Sequence, residues 1–403
     1  MSISAKYEIN WQKKYGEGAY GATYAAKNKE TGEEVAVKKI DMTKMAERAI
    51  LKEVGLLEQL KHPNIIEIRD HGRGEGSARH DYLIYMECAS GGELYEQVIK
   101  RGIANTMPEL LARGLFTQML KAVRYCHSYG VAHRDIKPEN VLLDKANVIK
   151  LIDFGLAHSY PRADDKSIDR SEQLYDVCGS HSYAAPEVLA ANKRLGHGYD
   201  GFACDAWSLG VTLFCLVAGF LPLERASDRD WRYCKLRDEQ ATDPSASTTA
   251  IVHRWYSRPC AYLSAEMIDL LDKLLLIDPK KRISLDDAVD HPWVRELKLE
   301  PPPVSADSSE ERKRSAEAAL AIDDDDDDDS YERPVYRSVR YVPRDPTDAH
   351  NVHDGMVDEE VEDMPLYLSA RVPIEETGMG VPTMARQHGN INLLLGEETG
   401  FMD

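Results

Sequence analysis

The first residues along the chain whose types could do chemistry form a GxGxxG pattern, Gly16-Glu17-Gly18-Ala19-Tyr20-Gly21. This pattern is compatible with a dinucleotide site, a hairpin that covers phosphates, or an ordinary turn. Asp41 lies 20 residues beyond Gly21, where a dinucleotide-binding fold places its ribose carboxylate. Such a loop must open a helix, however, and residues 23–39 continue as strand, turn and strand. The context argues against a dinucleotide site, and the lack of GxxxxGK[ST] excludes a Walker-type loop.

Four further motifs follow in order along the chain. VAVK ends at Lys38, HRDIKPEN occupies residues 133–140, DFG residues 153–155 and APE residues 185–187. Each is weak alone, because an isolated Asp or Lys is usually a solvated surface group. Together and in this order they resemble the eukaryotic protein kinase family, over about 290 residues. The resemblance implies a bilobal α+β protein kinase fold, with a small antiparallel-sheet lobe that has one helix and a larger helical lobe.

The resemblance implies that ATP is the co-substrate, that residues 16–21 cover it, and that Lys38 pairs with its α- and β-phosphates. Lys38 needs a carboxylate to hold it. Glu53, on the following predicted helix, matches the family position ten residues before Pro63. Glu58 and Glu47 are the alternatives.

The motifs also imply roles in the transfer step. Asp135 of HRD matches the family's catalytic base, which accepts the proton of a substrate hydroxyl. Asn140 and Asp153 match the residues that hold Mg²⁺, a hard cation suited to oxygen ligands. Lys137 lies where serine/threonine kinases carry lysine, and Ser180 stands where the family usually has a Thr that contacts the catalytic Asp and Lys. The implied acceptors are therefore Ser and Thr hydroxyls of protein substrates.

Residues 82–89 have the pattern of a buried strand that runs into the hinge between the lobes. Met86 matches the residue that gates the adenine pocket, and Glu87 and Cys88 are expected to offer backbone groups to adenine. Glu93 is aligned to reach the ribose of ATP and also a basic residue of the substrate. With Glu139 it resembles the acidic pair by which basophilic kinases bind Arg three residues before the acceptor, although two solvated carboxylates are the alternative.

The activation segment, residues 153–187, contains a charged insertion at 161–173. Asp176 lies where many relatives carry a Thr that must be phosphorylated, and Arg134 matches the residue that grips that phosphate. We hypothesise that the Asp176 carboxylate substitutes for it, although its charge is smaller than a phosphate's, roughly −1.5 to −2. An acidic loop residue without a partner is the alternative. Other candidate regulatory sites are Ser167, Ser171 and Tyr175.

Local motifs, among them GGELY, DFGLA and CGSHSYAAPE, are most similar to the calcium/calmodulin-dependent kinase group, in its checkpoint-kinase-like or AMP-activated-kinase-like branch. Glu187 and Arg282 resemble the family's buried ion pair. Asp205 resembles the aspartate that braces the HRD backbone. We predict that these three residues are structural.

The elements that must position these residues can be predicted from periodicity. Strands and tight turns are predicted for residues 7–39, and a helix for 43–60, with Ile50, Val54 and Leu57 on one face. Helical periodicity dominates from about residue 93, including 109–129, 205–220 and 264–276. A sheet followed by helices indicates an α+β protein with two unequal lobes. The predicted N-lobe spans about 5–87, the hinge 87–92 and the C-lobe 93–297.

Composition separates this domain, 5–297, from a mostly disordered acidic tail, 298–403. The 403 residues carry a net charge of −19, but residues 301–403, with 9 Lys and Arg against 25 Asp and Glu, contribute −16. Seven consecutive aspartates occupy 323–329, a composition that cannot bury enough surface to offset chain entropy. Arg312 lies three residues before Ser315, which makes Ser315 a candidate autophosphorylation site or weak pseudosubstrate; a chance match or a nuclear-import signal is the alternative.

The same composition limits partners and location. An acidic chain argues against nucleic-acid binding. Seven scattered cysteines without a CxxC pair, and an N-terminus without an apolar signal region, favour an intracellular protein of the cytoplasm or nucleus. The apolar run at 209–223 is shorter than the roughly 18 residues that span a bilayer, so we predict a buried core helix and no membrane partner.

The principal prediction is therefore an active, ATP- and Mg²⁺-dependent protein serine/threonine kinase. A pseudokinase or scaffold is disfavoured because Lys38, Asp135, Asn140 and Asp153 are all present. A metabolite kinase with the same groups is disfavoured by the APE motif and the long activation segment, which serve protein substrates.

Overall fold

A five-stranded antiparallel sheet forms the smaller lobe, in the order β1-β2-β3-β5-β4. The computed structural model describes residues 3–96, 106–163 and 167–295. The strands of this sheet are β1 (Tyr7–Gly18), β2 (Gly21–Asn28), β3 (Glu34–Asp41), β4 (Ile68–Arg73) and β5 (Asp81–Glu87). The GxGxxG residues form the β1–β2 turn, as strand–turn–strand patterning predicts.

The helix α2, Glu47–Gln59, packs beneath this sheet. Ile50, Val54 and Leu57 are all buried, which confirms the predicted face. The helix begins later than predicted because Asp41 Oδ1 accepts hydrogen bonds from Thr43 and closes a turn. The smaller lobe also contains a one-turn helix, α1 (Ile3–Lys6), that the sequence analysis missed.

The larger lobe is mainly helical, which confirms the predicted fold class. Two-residue and three-residue strands lie beside the catalytic motifs, at Gly92–Glu93, Val131–Ala132, Val141–Leu143, Ile149–Leu151 and His158–Ser159. Helices of this lobe lie at Glu109–Ser128, Pro186–Leu189, Gly201–Ala218, Trp231–Thr242, Thr248–Trp255, Ala265–Leu274, Leu285–Val289 and Pro292–Arg295. Short 3-10 turns lie at Gly76–Ala78, Pro138–Asn140 and Lys193–Leu195.

Gly201–Ala218 is the core helix of the larger lobe. Asp200 caps its N-terminus by accepting a hydrogen bond from Phe202 N, and Gly219 ends it in the left-handed conformation. Its length and composition would suit a membrane span, but 89% of it is buried inside the protein. The prediction of a buried core helix is thus confirmed, and this helix supports the catalytic loop described next.

Candidate active site

Lys38 and Glu53 form an ion pair between the sheet and α2. Lys38 lies in β3, and its Nζ is 2.9 Å from Glu53 Oε1, with Glu53 almost wholly buried. The two alternative carboxylates have other partners, because Glu47 binds Arg73 and Glu58 binds His71. Of the three glutamates considered from the sequence, Glu53 is therefore the one the fold brings to Lys38.

The charge of Lys38 is stabilised by its surroundings. Burial lowers the pKa of Lys38, but the carboxylates of Glu53 and Asp153 outweigh burial and leave the pKa above its ordinary value. Lys38 is therefore a fixed cation that faces the DFG motif, which is the charge needed to neutralise phosphate oxygens.

Asp135 is surrounded by donors from the catalytic loop and the activation segment. Lys137 Nζ lies 2.8 Å from Asp135 Oδ2 and 2.7 Å from Ser180 Oγ, and Ser180 N donates to Asp135 Oδ1 at 2.9 Å. Asn140 Nδ2 also donates to Asp135 Oδ2, at 3.0 Å. Three residues, Lys137 and Asn140 of the HRD motif and Ser180 of the activation segment, thus converge on one carboxylate.

These donors determine the charge of Asp135. Burial raises the pKa of Asp135, but the Lys137 ammonium and the hydrogen bonds from Lys137 and Ser180 outweigh burial, so the pKa lies below its ordinary value. Asp135 is an ionised acceptor at neutral pH.

The oxygen donors predicted to hold Mg²⁺ are compatible with that cation. Asn140 uses its amide nitrogen toward Asp135, so its side-chain oxygen remains as the acceptor for a cation. Asp153 adopts a positive φ of 64°, and Gly155 N donates to its Oδ1 at 3.3 Å. Among the residues that the structure describes, no group of three or more His, Cys, Asp or Glu could hold a metal alone. Two protein ligands suit Mg²⁺, which usually keeps waters and binds substrate phosphates.

The Gly-rich hairpin, residues 16–21, depends on its last glycine. A Cβ at Gly21 would lie 1.8 Å from the Lys39 carbonyl oxygen of β3, so no other residue fits there. Gly18 pairs with Gly21 and Glu17 with Ala22, which leaves Ala19 and Tyr20 at the tip. The tip is therefore held close to the strand that carries Lys38.

The predicted hinge follows β5. Met86 pairs with Ala36 of β3, and the Glu87 carboxylate contacts Lys150 at 2.7 Å. Tyr15 of β1, which the sequence analysis missed, places its hydroxyl 3.5 Å from Cys88 Sγ. Burial and this thiol raise the pKa of Tyr15 to about 12. The roles of Met86, Glu87 and Cys88 toward adenine stay predictions.

The two acids predicted to bind substrate differ in exposure. Glu139 Oε2 is buried and accepts no hydrogen bond from any described residue. Burial raises the pKa of Glu139, and the nearby charges of Asp135 and Glu93 raise it further against the opposing effect of Lys137. Glu93 is exposed and pairs with Leu142 in a two-residue strand. The role of Glu139 and Glu93 in binding a basic substrate residue stays a prediction.

Arg134 and Asp176 approach each other in the activation segment. Arg134 Nη1 lies 3.7 Å from Asp176 Oδ2, with Arg134 buried and Asp176 76% exposed. Tyr199, which no sequence motif marked, accepts a hydrogen bond from Arg134 and donates one to the Asp176 carbonyl oxygen. The one sequence feature that could have pointed to Tyr199 is its position directly before Asp200, the residue that caps the core helix. The structure thus brings the hypothesised pair together.

The serines proposed as regulatory sites lie elsewhere. Ser167 O accepts a hydrogen bond from Ala163 N, and Ser171 N donates to Asp169 Oδ1 within the exposed insertion. Ser315 lies outside the described residues.

Three predicted structural residues hold the loops in place. Asp205 is fully buried and accepts hydrogen bonds from the backbone N of His133 and Arg134, each at 2.8 Å. Arg282 and Glu187 form a two-pronged pair, at 2.5 and 3.0 Å. The catalytic loop and the end of the activation segment are thus fixed to the helical core.

Comparison with known proteins agrees with this geometry. The model of the protein kinase domain family matches residues 9–294. CBL-interacting protein kinase 16 of Oryza sativa subsp. japonica is 33% identical over 75% of this chain and 59% of its own length. SNF-related serine/threonine-protein kinase of Homo sapiens is 34% identical over 74% of this chain and 35% of its own length. CBL-interacting serine/threonine-protein kinase 12 of Arabidopsis thaliana is 34% identical over 73% and 53%.

The fold, the motifs and the family match define the class: the chain belongs to the protein kinase family. The predicted family is confirmed, and the relatives bear names of the predicted serine/threonine type. The matched part spans between about one third and three fifths of the length of these relatives.

Proposed function

We propose that this chain is an active protein serine/threonine kinase that transfers the γ-phosphoryl group of ATP to Ser or Thr hydroxyls of protein substrates, with Mg²⁺. The observation that carries the proposal is the cluster at Asp135, in which Lys137, Asn140 and Ser180 all contact one carboxylate. A pseudokinase, which transfers no phosphate, would not require Asp135 and these three contacts together.

Each chain residue has a defined task in the transfer. Asp135, ionised and oriented by three donors, accepts the hydroxyl proton of the substrate as the oxygen attacks the γ-phosphorus. Lys137, already between Asp135 and Ser180, lies where a cation can steady the transferring group. A carboxylate with a depressed pKa is a weak base, which suits a reaction whose catalysis is mostly positioning and charge stabilisation.

The nucleotide is held from the opposite side. Lys38, braced by Glu53, would bind phosphate oxygens, and the hairpin at 16–21 would cover them. Asn140 and Asp153 would hold Mg²⁺, which supplies charge neutralisation to the phosphates. The hinge would offer backbone groups to adenine.

The substrate preference is Arg at the −3 position. The carboxylate of Glu139, buried without a hydrogen-bond donor to its Oε2 among the described residues, supports this preference, with Glu93 as the second acid. An arginine guanidinium would supply the missing donors in the planar geometry that carboxylates accept.

Activity without an upstream kinase is a further part of the proposal. Asp176 lies within ion-pair distance of Arg134, as a phosphate would. We therefore expect bacterially expressed, phosphatase-treated protein to be active. An inert protein that stays equally inert in Asp176→Asn would contradict this part of the proposal.

We place the kinase inside the cell, in the cytoplasm or nucleus, because all seven cysteines are free thiols. Imaging of the tagged full chain tests this location. Ser315 is proposed as an autophosphorylation site, and mass spectrometry after incubation with Mg·ATP would show whether it is modified.

The central test is radiolabel transfer from ATP to a serine peptide with Arg at −3, in wild type and Asp135→Asn. We expect the wild type to transfer label and the variant to lose at least about 10²-fold, the scale of general base and positioning effects. Asp228→Asn, at an exposed acid that pairs with Arg237, is the matched control and should retain activity. Equal rates for wild type and Asp135→Asn would contradict the proposed function.

A further inference from the structure

The insertion in the activation segment, residues 161–173, is anchored to the core helix at both ends. On its N-terminal side, buried Tyr160 accepts a hydrogen bond from Gly201 N through its hydroxyl, at 2.8 Å. On its C-terminal side, Leu174 and Tyr199 exchange two backbone hydrogen bonds, each of 2.9 Å. Both anchors lie at the N-terminus of the core helix, so the two ends of the insertion are fixed there.

Within the insertion, Arg170 contacts the same helix end. Its guanidinium pairs with Oδ2 of Asp200, whose Oδ1 caps the helix by accepting a hydrogen bond from Phe202 N. The guanidinium carbon also lies 4.6 Å from the centre of the Phe202 ring. A cation over an aromatic face is attracted by the ring's quadrupole. Arg170 is therefore held by an ion pair and by the ring together.

Phe202 connects this contact to the catalytic loop. Its ring stacks on His127, with ring centres 4.0 Å apart and an angle of 4° between the planes. His127 Nε2 lies 2.8 Å from Asp205 Oδ2, and stacking restricts the rotation of the imidazole. Asp205 in turn accepts hydrogen bonds from the backbone of His133 and Arg134. A continuous row of contacts thus joins the insertion to the loop that carries Asp135.

We propose that Arg170 and Phe202 are positioning residues, which hold the activation segment and the catalytic loop in place for phosphoryl transfer. This proposal rests on the proposed function. Arg170 fixes the segment that leads to Asp176 and Ser180. Phe202 fixes His127, and through it the carboxylate that orients the HRD backbone. Neither residue touches the reacting atoms, so both act through other residues.

The test compares Arg170→Ala with Arg237→Ala in the full-length protein. Arg237 is a matched control because it also pairs with an acid, Asp228, and lies over an aromatic ring, Tyr233 at 6.0 Å. We expect Arg170→Ala to lower kcat roughly tenfold, with KM for ATP unchanged, because a misplaced loop costs rate more than nucleotide binding. Arg170→Lys should restore part of kcat, and Phe202→Leu, which keeps apolar volume, should match Arg170→Ala.

Hydrogen exchange gives a second measurement that does not need activity. Arg170→Ala should raise exchange in peptides covering 167–178 and 131–135, whereas Arg237→Ala should change neither. Cooperative melting of Arg170→Ala and Arg237→Ala would show that both variants are folded. Equal kcat and equal hydrogen exchange in these two folded variants would overturn the proposal. If the wild type transfers no phosphate and Arg170→Ala still exchanges faster than wild type, the proposed function is contradicted. The positioning contacts of Arg170 are then supported.

Discussion

Two of the acid–arginine contacts of the activation segment, one at its end and one nearer its middle, differ sharply. The Arg282 side chain is buried, at 1% exposed, the Glu187 side chain is 12% exposed, and two hydrogen bonds join them. Asp176 and Arg134 approach to 3.7 Å, beyond hydrogen-bond range, and Asp176 is 76% exposed. The buried pair also binds three backbone carbonyls through Arg282, which are those of Ala203, Leu276 and Ile277.

This difference indicates that the two contacts have different roles. Removing one partner of a buried pair leaves a charge without solvent or counter-ion, so the pair is an all-or-none structural contact. An exposed pair competes with water and salt, so its strength can be adjusted. The Glu187–Arg282 pair thus holds the end of the activation segment in place, whereas the position of its middle, at Asp176, depends on charge. The acid Glu139 of the catalytic loop differs from both pairs, because its buried Oε2 accepts no hydrogen bond from the described residues.

The largest effect is expected for Arg282→Ala. It leaves Glu187 buried without its arginine, so the free energy of unfolding should fall by about 3–5 kcal/mol. Denaturant unfolding measures this change. Arg124→Ala, at an exposed arginine 2.6 Å from Asp286, is the control and should cost no more than about 1 kcal/mol. Equal losses of unfolding free energy in Arg282→Ala and Arg124→Ala would contradict the distinction between buried and exposed contacts.

The next effect concerns Glu139 and pH. Burial raises the pKa of Glu139, whereas the pKa of Asp135 is lowered by Lys137 and Ser180 against the effect of burial. As pH falls, Glu139 should gain a proton first, and its attraction for arginine should be lost while Asp135 stays ionised. The ratio of kcat/KM for peptides with Arg or Ala at −3 should therefore fall as pH is lowered from neutral toward the ordinary pKa of a glutamate, about 4.3.

In Glu139→Gln the same ratio should be low and independent of pH. A wild-type ratio that stays constant across this range would show that Glu139 does not read the −3 residue. That result would leave the phosphoryl transfer itself untouched.

A smaller effect is expected for Asp176→Asn. The variant keeps the shape of the side chain and removes its charge, so kcat should fall by roughly threefold to tenfold, the equivalent of about 1 kcal/mol. The unfolding free energy should stay within about 0.5 kcal/mol of wild type, as for exposed surface groups. A fall in stability as large as that of Arg282→Ala would mean that both contacts are structural.

The smallest effect is the response to salt. Raising NaCl from about 0.05 M to 0.5 M shortens the Debye length and weakens exposed pairs more than buried ones. The kcat of wild type should therefore approach that of Asp176→Asn, within a few-fold. A constant ratio between the two proteins at every salt concentration would indicate that the carboxylate acts without Arg134.

The motifs alone determined the class of protein and the main candidates for its site. Lys38, Asp135, Asn140 and Asp153 could be named because the motifs that contain them, in this order, resemble those of the protein kinase family. Local periodicity also predicted α2 and the core helix correctly, since the repeat of apolar residues follows the geometry of one helix.

Only the tertiary structure decided which groups meet across the chain. Glu47, Glu53 and Glu58 occupy one helix, and the sheet packing selected Glu53 for Lys38 by giving the others to Arg73 and His71. The contacts of Tyr199 with Arg134, of Phe202 with Arg170 and of His127 with Phe202 had no local signal in the sequence. Such contacts join residues far apart in sequence, and their positions are set by how the helices and loops pack, which no short motif encodes.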